Sequence, residues 1–249
     1  MTEFLTITVV ISNWKRQKCI PSIIQQLDGQ AYPKDKYEVI IVDDDTPNKE
    51  EVYQIVRKQA QEHPTINLSL YETHKQVTRN PALRYNIGAK KARNEIVLLN
   101  ESDVLQEAEY LQTVNAEHQA DTKLFLGPEL VSQYPDGHRE VESFRGPCDL
   151  GGSVRREHYH AITGFDERTR GWGGIEDDFH NRLKEIGVNY RKCTRLIALH
   201  RRVELCGIDP AEFFMDTETY RGWPPKAGVR PNPETWGTLD TLEQINLKT

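Results

Sequence analysis

The fold is indicated by a stretch at residues 37–46, which reads Tyr-Glu-Val-Ile-Ile-Val-Asp-Asp-Asp-Thr. Its β-branched, mostly apolar run is typical of a strand buried on both faces of a parallel sheet. A similar run at residues 5–11, Leu-Thr-Ile-Thr-Val-Val-Ile, ends in a polar turn at 12–16. Helical and strand patterns then alternate, with helices at 19–27, 50–61 and 82–93 and strands at 66–71 and 95–99. This alternation predicts a doubly wound α/β sheet.

Polar and acidic side chains follow the predicted strands at their carboxyl ends, where doubly wound sheets bind ligands. Ser12 and Trp14 follow the first strand, and Asp44 follows the second. Glu101 and Asp103 follow the fourth strand, and carboxylates with this i, i+2 spacing can both face one cation. Mg²⁺ and Mn²⁺ take such oxygen ligands while keeping positions for phosphate. The alternative is a polar connection in which Asp103 caps a following helix.

A second group of acids lies at residues 171–183, which read Gly-Trp-Gly-Gly-Ile-Glu-Asp-Asp-Phe-His-Asn-Arg-Leu. Two interpretations stay open. Either the acids cap the next helix, whose positive dipole end favours them, or the glycine loop aims one carboxylate into a cleft as a general base. A predicted strand at 188–199 follows and ends at His200. A single histidine at a strand end is more often structural than a metal ligand.

The chain as a whole has the composition of a globular protein, with 28% charged and 37% hydrophobic residues. A single domain is predicted at 1–221. The proline-rich residues 222–249 are expected to form an irregular tail that lies over the domain or is partly mobile, without a persistent helix or strand. The net charge of −6 argues against a mainly electrostatic grip on nucleic acid or an anionic membrane.

Cysteine spacing and hydropathy bear on the compartment. The four cysteines are widely spaced and include no C-x-x-C pair, which excludes a zinc ribbon and a thioredoxin-type motif. We interpret them as reduced thiols of a cytoplasmic protein, with a buried disulfide as the alternative. The first residues lack the charged and apolar regions of a signal peptide. No apolar run approaches the roughly 20 residues needed to span a bilayer, so no transmembrane segment is predicted.

Several of these stretches together resemble glycosyltransferase family 2. The matching segments lie at residues 9–16, 40–46, 86–88 and 98–103 in the first half, and at 151–153, 164–166 and 171–178 in the second. The second half is also similar to the Gly-Trp-Gly-Gly-Glu-Asp segment of galactosyl- and N-acetylgalactosaminyltransferases. The resemblance spans about residues 5–205 and implies the GT-A fold, with a Rossmann-like, mostly parallel mixed sheet flanked by helices. It implies a nucleotide-binding half at about 1–103 and an acceptor and catalytic half at 104–221.

This resemblance implies a metal-dependent inverting glycosyltransferase that moves a hexosyl or N-acetylhexosaminyl group from a UDP-sugar to a hydroxyl acceptor. Asp44 would pair with the N3–H of uracil. Asp103 and His200 would hold Mn²⁺ or Mg²⁺, because Glu101-Ser102-Asp103 stands where the family has Asp-x-Asp. The residues implied to bind the nucleotide sugar are Ser12, Trp14, Asp44, Arg79, Glu101, Ser102 and Trp172.

The catalytic base depends on the register of the second acidic stretch. Counting from the glycines places Ile175 at the Glu of the family and Glu176 at its base. A shift of one residue restores Glu-Asp as Glu176-Asp177 and makes Asp177 the base. We favour Asp177 because the shift preserves both acids, and Glu176 stays the other candidate.

Two other functions compete with this one. A non-catalytic nucleotide-sugar or glycan binding module on a degenerate transferase scaffold is kept open by Glu101 and Ile175, which depart from the family pattern. A nucleotidyltransferase is less consistent, because the Gly-rich, Lys-bearing phosphate loop expected near the first strand is absent from the sequence. The acceptor stays open between a glycan, a lipid-linked intermediate, a protein and a modified nucleic-acid base.

Overall fold

The computed structural model of the protein describes residues 3–44, 46–74, 80–142, 150–168, 174–207 and 228–248. Within these ranges the strands are β1 (Ile7–Asn13), β2 (Tyr37–Asp43), β3 (Asn67–Glu72), β4 (Ile96–Glu101), β5 (Val104–Gln106), β6 (Leu124–Gln133), β7 (Arg139–Val141), β8 (Ser153–Arg155), β9 (Asn189–Arg201) and β10 (Glu243–Ile245). The α-helices are α1 (Ile20–Asp28), α2 (Lys49–Glu62), α3 (Pro81–Lys91), α4 (Tyr110–Ala120), α5 (Arg156–Ala161) and α6 (Ile175–Glu185). Short 3₁₀ turns lie at Gln17–Cys19, Lys34–Lys36 and Val203–Cys206.

The strands form one mixed sheet in the order β10-β3-β2-β1-β4-β8-β6-β9-β5, with β7 paired to β6. β1 to β4 are mutually parallel, as the alternating sequence pattern predicts. β8 is antiparallel to both of its neighbours, and β6 and β9 run parallel to each other. The predicted mixed α/β sheet is therefore confirmed.

Helices cover both faces of the sheet, and alternate residues of β1 show this directly. Ile7, Val9 and Ile11 pack in one core with α1, α2 and α4. Val10 faces the other side, where it packs in a second core with α3, α5 and α6. Burial on both faces explains why the sequences of β1, β2 and β4 are apolar runs without polar alternation.

Gly88 allows α3 to lie directly on β1. A Cβ atom added at Gly88 would collide with the side chain of Val10. The glycine costs some helix propensity in the middle of α3, and close packing of the helix on the sheet requires it. α3 consequently lies deep enough for nine of its residues, from Pro81 to Ala89, to be buried.

The second half of the sheet differs in detail from the sequence pattern. Separate strand segments are predicted at residues 124–127 and 130–131, whereas β6 is continuous over both. Its pairing with β9 shifts register between Pro128 and Glu129. This irregularity accommodates a proline, which has no amide hydrogen to donate to the sheet. The short elements β5, β7, β8 and α5 carry too few residues to show a periodic pattern, and the sequence does not predict them.

The described part of the C-terminal tail lies over the domain. Trp236 is only 2% exposed, and its ring centroid lies 5.0 Å from that of His160 and 6.0 Å from that of Tyr159. β10 pairs antiparallel with β3 and so covers an edge of the sheet. No strand is expected in the proline-rich tail, so β10 differs from the prediction. Pairing with the edge strand β3 stabilises it, and a local sequence pattern does not reveal such pairing.

The sulfur atoms of Cys19 and Cys206 are bonded, which corrects the expectation of four reduced thiols and agrees with the alternative. The bond joins the 3₁₀ turn after β1 to the one after β9, two turns that only the folded sheet brings together. Cys193 is a buried free thiol, and Cys148 lies outside the described residues. Within the described ranges, no helix combines the length and apolar character needed to cross a bilayer.

Candidate active site

The parallel strands deliver the predicted nucleotide residues to one edge of the sheet. Ser12 at the end of β1 is in register with Glu101 at the end of β4. Asn13 is in register with Asp43 at the end of β2. The carboxyl ends of β1, β2 and β4 are therefore level, which places the turns that follow them side by side.

A buried hydrogen-bond network holds these turns together. Asp43 accepts hydrogen bonds from the Asn13 amide and, at 2.7 Å, from the Thr46 hydroxyl. The Ser102 hydroxyl donates to Asn13 Oδ1 at 2.6 Å. Ser102, predicted to bind the nucleotide sugar, thus also fixes the β4 turn against β1. Asp43 therefore holds the turns after β1 and β2 together. Its neighbour Asp44 does not take part in these hydrogen bonds.

Asp44 and Ser12 are joined by Arg84, a fully buried residue of α3. Arg84 Nη1 lies 2.8 Å from Asp44 Oδ2, and Arg84 Nε donates to Ser12 Oγ at 2.6 Å. The Thr73 hydroxyl donates to the other Asp44 oxygen at 3.2 Å. Burial raises the pKa of Asp44, and the neighbouring Arg84 guanidinium opposes the rise without cancelling it. Two predicted nucleotide-binding residues are thus fixed in one cluster.

Of the other residues predicted to bind the nucleotide sugar, Trp14 lies within the described ranges. Trp14 is half-buried in the turn after β1, with Lys15 Nζ 4.5 Å from its ring centroid. The Lys15 amide donates to the Thr46 hydroxyl at 3.1 Å, which ties this turn to the one after β2. Arg79 and Trp172 lie outside the described residues.

Glu101 and Asp103 share a single buried arginine. Arg16, in the turn after β1, forms a short ion pair with Glu101 through Nη1. Its Nε lies 3.1 Å from Asp103 Oδ2. Burial would lower the pKa of Arg16, but the two carboxylates outweigh it and raise the pKa. Two acids and one base are therefore packed where at most 5% of any of the three side chains is exposed.

His200 reaches Asp103 because β5 pairs with β9. Val104 of β5 is in register with His200, and the Arg201 amide donates to the Asp103 carbonyl at 2.9 Å. His200 Nε2 consequently lies 3.7 Å from Asp103 Oδ2. A strand follows Asp103, so it does not cap a helix. The fold thus brings Asp103 and His200, both predicted as metal ligands, next to each other.

The other ring nitrogen of His200 is held by Glu142. Nδ1 lies 3.2 Å from Glu142 Oε1, which also accepts a hydrogen bond from the Ser132 hydroxyl. Burial would lower the pKa of His200, but the neighbouring carboxylates of Asp103 and Glu142 raise it to about 9. Burial would likewise raise the pKa of Asp103, but Arg16 and His200 lower it to about 2. Asp103 and His200 therefore shift each other's pKa in opposite directions, each favouring the charged form of the other.

The donor chemistry of this cluster suits a hard divalent cation. Asp103 offers a carboxylate oxygen, and His200 offers an imidazole nitrogen once its ring releases a proton. Mn²⁺ accepts such a mixed pair while keeping positions for phosphate oxygens. Within the described ranges, no three His, Cys, Asp or Glu side chains are already arranged around a metal position. The cluster thus holds the residues for such a site, with the Arg16 guanidinium bound to the same carboxylates.

The acids of the second stretch lie in the first turn of α6. Gly174 precedes the helix with φ of 73°, a left-handed conformation that glycine adopts readily, and its position makes the acids first-turn residues and not side-chain caps. Asp178 binds Arg182, with Oδ2 2.8 Å from Nη2, and Arg182 Nη1 also donates to the Gly164 carbonyl at 2.6 Å. Asp178 therefore anchors α6. Glu176 and Asp177 are half-buried beside it, and both remain candidates for the base.

Three site residues are not predicted as such from the sequence: Arg16, Arg84 and Glu142. Arg16 and Arg84 are buried cations, and a pattern of polar and apolar residues does not distinguish a buried arginine from a solvated one. Their positions inside or beside the segments that resemble the family are the signal that could have identified them. Glu142 lies just after the short strand β7, where the sequence carries no motif.

Family models match most of the described site. Residues 6–141, more than half of the chain, match the model described as glycosyltransferase-like family 2. Residues 130–206 match the model described as the N-terminal domain of galactosyltransferase. The poly(ribitol-phosphate) β-N-acetylglucosaminyltransferase TarS of Staphylococcus aureus strain Mu50 is 29% identical over 120 residues. That match covers 47% of this chain and only 20% of TarS.

Solved structures of three transferases resemble the fold. S. aureus TarS 1–349 in complex with UDP-GlcNAc gives a TM-score of 0.63 at 18% identity, covering 85% of this chain and 64% of that one. GalNAc-T7 with UDP, GalNAc and Mn²⁺ gives 0.66 at 12% identity, covering 81% and 45%. The mannosyltransferase PcManGT of Pyrobaculum calidifontis with GDP-Man and Mn²⁺ gives 0.61 at 19% identity, covering 80% and 57%. These likenesses establish the GT-A fold, and the family match over residues 6–141 shows that the chain belongs to glycosyltransferase-like family 2.

Proposed function

We propose that the protein is a metal-dependent inverting glycosyltransferase that transfers a hexosyl or N-acetylhexosaminyl group from a UDP-sugar to a hydroxyl acceptor. The observation that carries this proposal is the contact between Asp103 and His200, 3.7 Å apart, beside the turns that hold Ser12 and Asp44. Strands from both halves of the chain are needed to form it. The similarity to a UDP-GlcNAc complex of TarS supports the choice of donor.

In this proposal the edge of the sheet at β1 and β2 binds the nucleotide. Asp44 accepts a hydrogen bond from uracil N3–H, and Ser12 and Trp14 line the base and ribose pocket. Arg84 fixes Asp44 through the 2.8 Å ion pair, which limits the directions from which the carboxylate can accept. Arg79 would lie near the nucleotide or its phosphates, as the family resemblance implies.

The diphosphate of the donor would lie beside Asp103 and His200, which would hold Mn²⁺ or Mg²⁺. When bound, such an ion neutralises the charge that develops on the departing diphosphate. Glu101 and Ser102 complete the turn that presents Asp103. Trp172 would offer its ring face to the transferred sugar.

Asp177, or Glu176 in the other register, would act as the general base. Its carboxylate takes the proton of the acceptor hydroxyl as that oxygen attacks the anomeric carbon on the face opposite the leaving group. Attack from the opposite face inverts the anomeric configuration. Proton NMR of the product checks this, because retention would contradict a base at either position.

Calorimetry of nucleotide binding tests the donor assignment. UDP should bind more tightly than GDP or ADP in the presence of Mn²⁺, and Asp44→Asn should reduce that preference. Tighter binding of GDP, the nucleotide in the complex of PcManGT, would overturn the assignment of Asp44 to uracil. An array of UDP-sugars and hydroxyl acceptors then identifies the sugar and separates glycan, lipid-linked, protein and modified-base acceptors.

A non-catalytic nucleotide-sugar or glycan binding module is the second candidate. The observation that favours it is Arg16, which is bound to both acids of the expected metal site. Turnover separates the two functions. Release of UDP from a UDP-sugar that depends on added acceptor supports the transferase, whereas binding without turnover across the array supports the module.

The proposed compartment is the cytoplasm. The bond between Cys19 and Cys206 bears on this proposal, because cytosolic thiols are usually kept reduced. Alkylation of the protein in intact cells, followed by mass spectrometry, measures the fraction of bonded cysteine. Extensive alkylation at both positions would support the cytoplasm, and full protection would point to an oxidising compartment.

A further inference from the structure

One buried cation in the candidate active site is not explained by nucleotide binding. Arg16 is 4% exposed, forms a short ion pair with Glu101 and lies 3.1 Å from Asp103 Oδ2. A second contact, at 3.3 Å, joins its Nη1 to Asp103 Oδ1. Both oxygens of Asp103 thus have the Arg16 guanidinium as a neighbour.

We infer that Arg16 is a built-in countercation that competes with the divalent metal for Glu101 and Asp103, an inference that rests on the proposed function. The guanidinium keeps the two carboxylates neutralised while no ion is bound. A metal ion that coordinates Asp103 must replace Arg16 at the same oxygens, because two cations cannot share them without strong repulsion. Metal binding to the free protein is consequently weak.

The place of Arg16 in the chain explains how the exchange can be linked to the donor. Arg16 belongs to the same turn as Trp14 and follows Ser12 closely, and its carbonyl accepts a hydrogen bond from the Cys19 amide at 2.9 Å. A bound donor therefore reaches the turn that carries the guanidinium. Arginine binds phosphate oxygens in bidentate geometry, so the diphosphate offers Arg16 a new partner as the carboxylates take up the metal. The metal and the nucleotide should accordingly strengthen each other's binding.

Titration of Mn²⁺ into metal-free, nucleotide-free protein, followed by the EPR signal of the free ion, tests the inference without relying on activity. Arg16→Gln should bind Mn²⁺ at least about tenfold more tightly than the wild type, because one competing cation is gone. Arg16→Lys keeps the charge and should stay near the wild-type affinity. Arg182→Gln is the matched control, because it also removes a buried arginine from an acid, but on α6. It should bind Mn²⁺ as the wild type does.

The location of the ion is checked by the double variant Arg16→Gln/Asp103→Asn, which should lose the tight binding. If Arg16→Gln is folded but too unstable for titration at room temperature, its melting temperature with and without Mn²⁺ decides the matter. A larger rise than in the wild type supports the inference, and an equal or smaller rise overturns it. Equal Mn²⁺ affinity of folded Arg16→Gln and wild type overturns it as well.

Failure of the proposed function gives a different result. Wild-type turnover that resists a chelator would overturn metal dependence, yet tight Mn²⁺ binding by Arg16→Gln at Asp103 would still support competition. Conversely, if a chelator abolishes turnover but Arg16→Gln binds Mn²⁺ no more tightly than the wild type, only the inference about Arg16 is overturned.

Discussion

Two buried arginines serve the two ends of the candidate active site, and their surroundings differ in charge. Arg84 binds one carboxylate, Asp44, and the neutral hydroxyl of Ser12, so that its charges balance. Arg16 is shared between Glu101 and Asp103, which leaves one negative charge for His200 to offset. A balanced pair can remain in place throughout a reaction. Glu101 and Asp103 are better suited to exchange Arg16 for a divalent ion, with His200 staying beside Asp103 as the second proposed ligand.

A third arginine, on α6, extends this distinction to the proposed base. Arg182 binds Asp178 and the carbonyl groups of Ile162 and Gly164, which makes that acid structural. Its neighbours in the first turn, Glu176 and Asp177, are the two candidates for the proposed base. Of the three arginines, only Arg182 binds an acid to which no part in binding or catalysis is assigned.

The largest loss of turnover is expected at the proposed metal site, where Arg16 is inferred to give way to the ion. Asp103→Ala should reduce turnover by about 10⁴-fold or more, because a metal ion contributes several kcal/mol to stabilising transition-state charge. The fold should persist, since Arg16 keeps Glu101 and His200 keeps Glu142. Initial rates with saturating UDP-sugar and Mn²⁺ measure the loss. Glu101→Gln is the matched control at the other acid, and an equal loss there would show that both carboxylates hold the ion.

The next largest effect distinguishes the acids of α6. Asp177→Asn should lower turnover by roughly 10²–10⁴-fold, the usual contribution of positioned proton transfer, with donor binding nearly unchanged. Glu176→Gln tests the other register with the same chemistry, and Asp178→Asn should affect stability more than turnover because it loses Arg182. Single-turnover rates and UDP affinity measure the two quantities. Full activity in both Asp177→Asn and Glu176→Gln would mean that these acids only favour the helix dipole.

The sequence allows the first half of the site to be predicted and much less of the second. Ser12, Asp44 and Glu101 each follow a buried apolar run, and the carboxyl ends of parallel strands share an edge, so their proximity follows from local pattern. The contact of Asp103 with His200 depends on β5, three residues long, which carries no recognisable period. The resemblance to a family, and not the pattern, suggests that contact.

Electrostatic roles were the least predictable feature. Arg84 lies on a helix whose hydrophobic face wraps so far around that nine consecutive residues are buried, and its charge alone would place it on the surface. Only the fold shows that Arg84 is paired with the buried carboxylate of Asp44. The register of Glu176 and Asp177 against the glycines depends on residues 171–173, which lie outside the described ranges.

The balanced pair can be broken by removing its arginine. Arg84→Met leaves the Asp44 carboxylate buried without its cation and should lower the free energy of unfolding by about 3–5 kcal/mol at pH 7. The double variant Arg84→Met/Asp44→Asn should recover part of this loss, because no buried charge remains. Urea denaturation measures both. No recovery in the double variant would show that packing of the Arg84 side chain, and not charge, is what α3 requires.

The pH dependence gives a second readout of the same variant. Burial already raises the pKa of Asp44, and Arg84 opposes the rise, so Arg84→Met should raise this pKa further. A carboxyl whose folded pKa exceeds its unfolded value takes up protons on folding. The destabilisation is therefore full at pH values above the folded pKa and shrinks as the pH falls through it. Urea denaturation between pH 7 and pH 4.5 should show the variant approaching the wild type.

The smallest effect, on metal affinity, is expected at Glu142, which contacts the proposed metal ligand His200. Its carboxylate holds Nδ1 of His200 at 3.2 Å and so directs Nε2 toward Asp103. Glu142→Gln keeps a hydrogen-bond acceptor but loses the charge, and such partners of metal-binding histidines are worth about 10–100-fold in metal affinity. Mn²⁺ affinity in the presence of UDP should fall within this range, with UDP affinity in the absence of metal unchanged. Ser132→Ala removes only the hydrogen bond to Glu142 and should cost less. If Glu142→Gln binds Mn²⁺ as the wild type does, the His200 ring is oriented by β9 alone, and the metal end of the site owes its geometry to strand pairing.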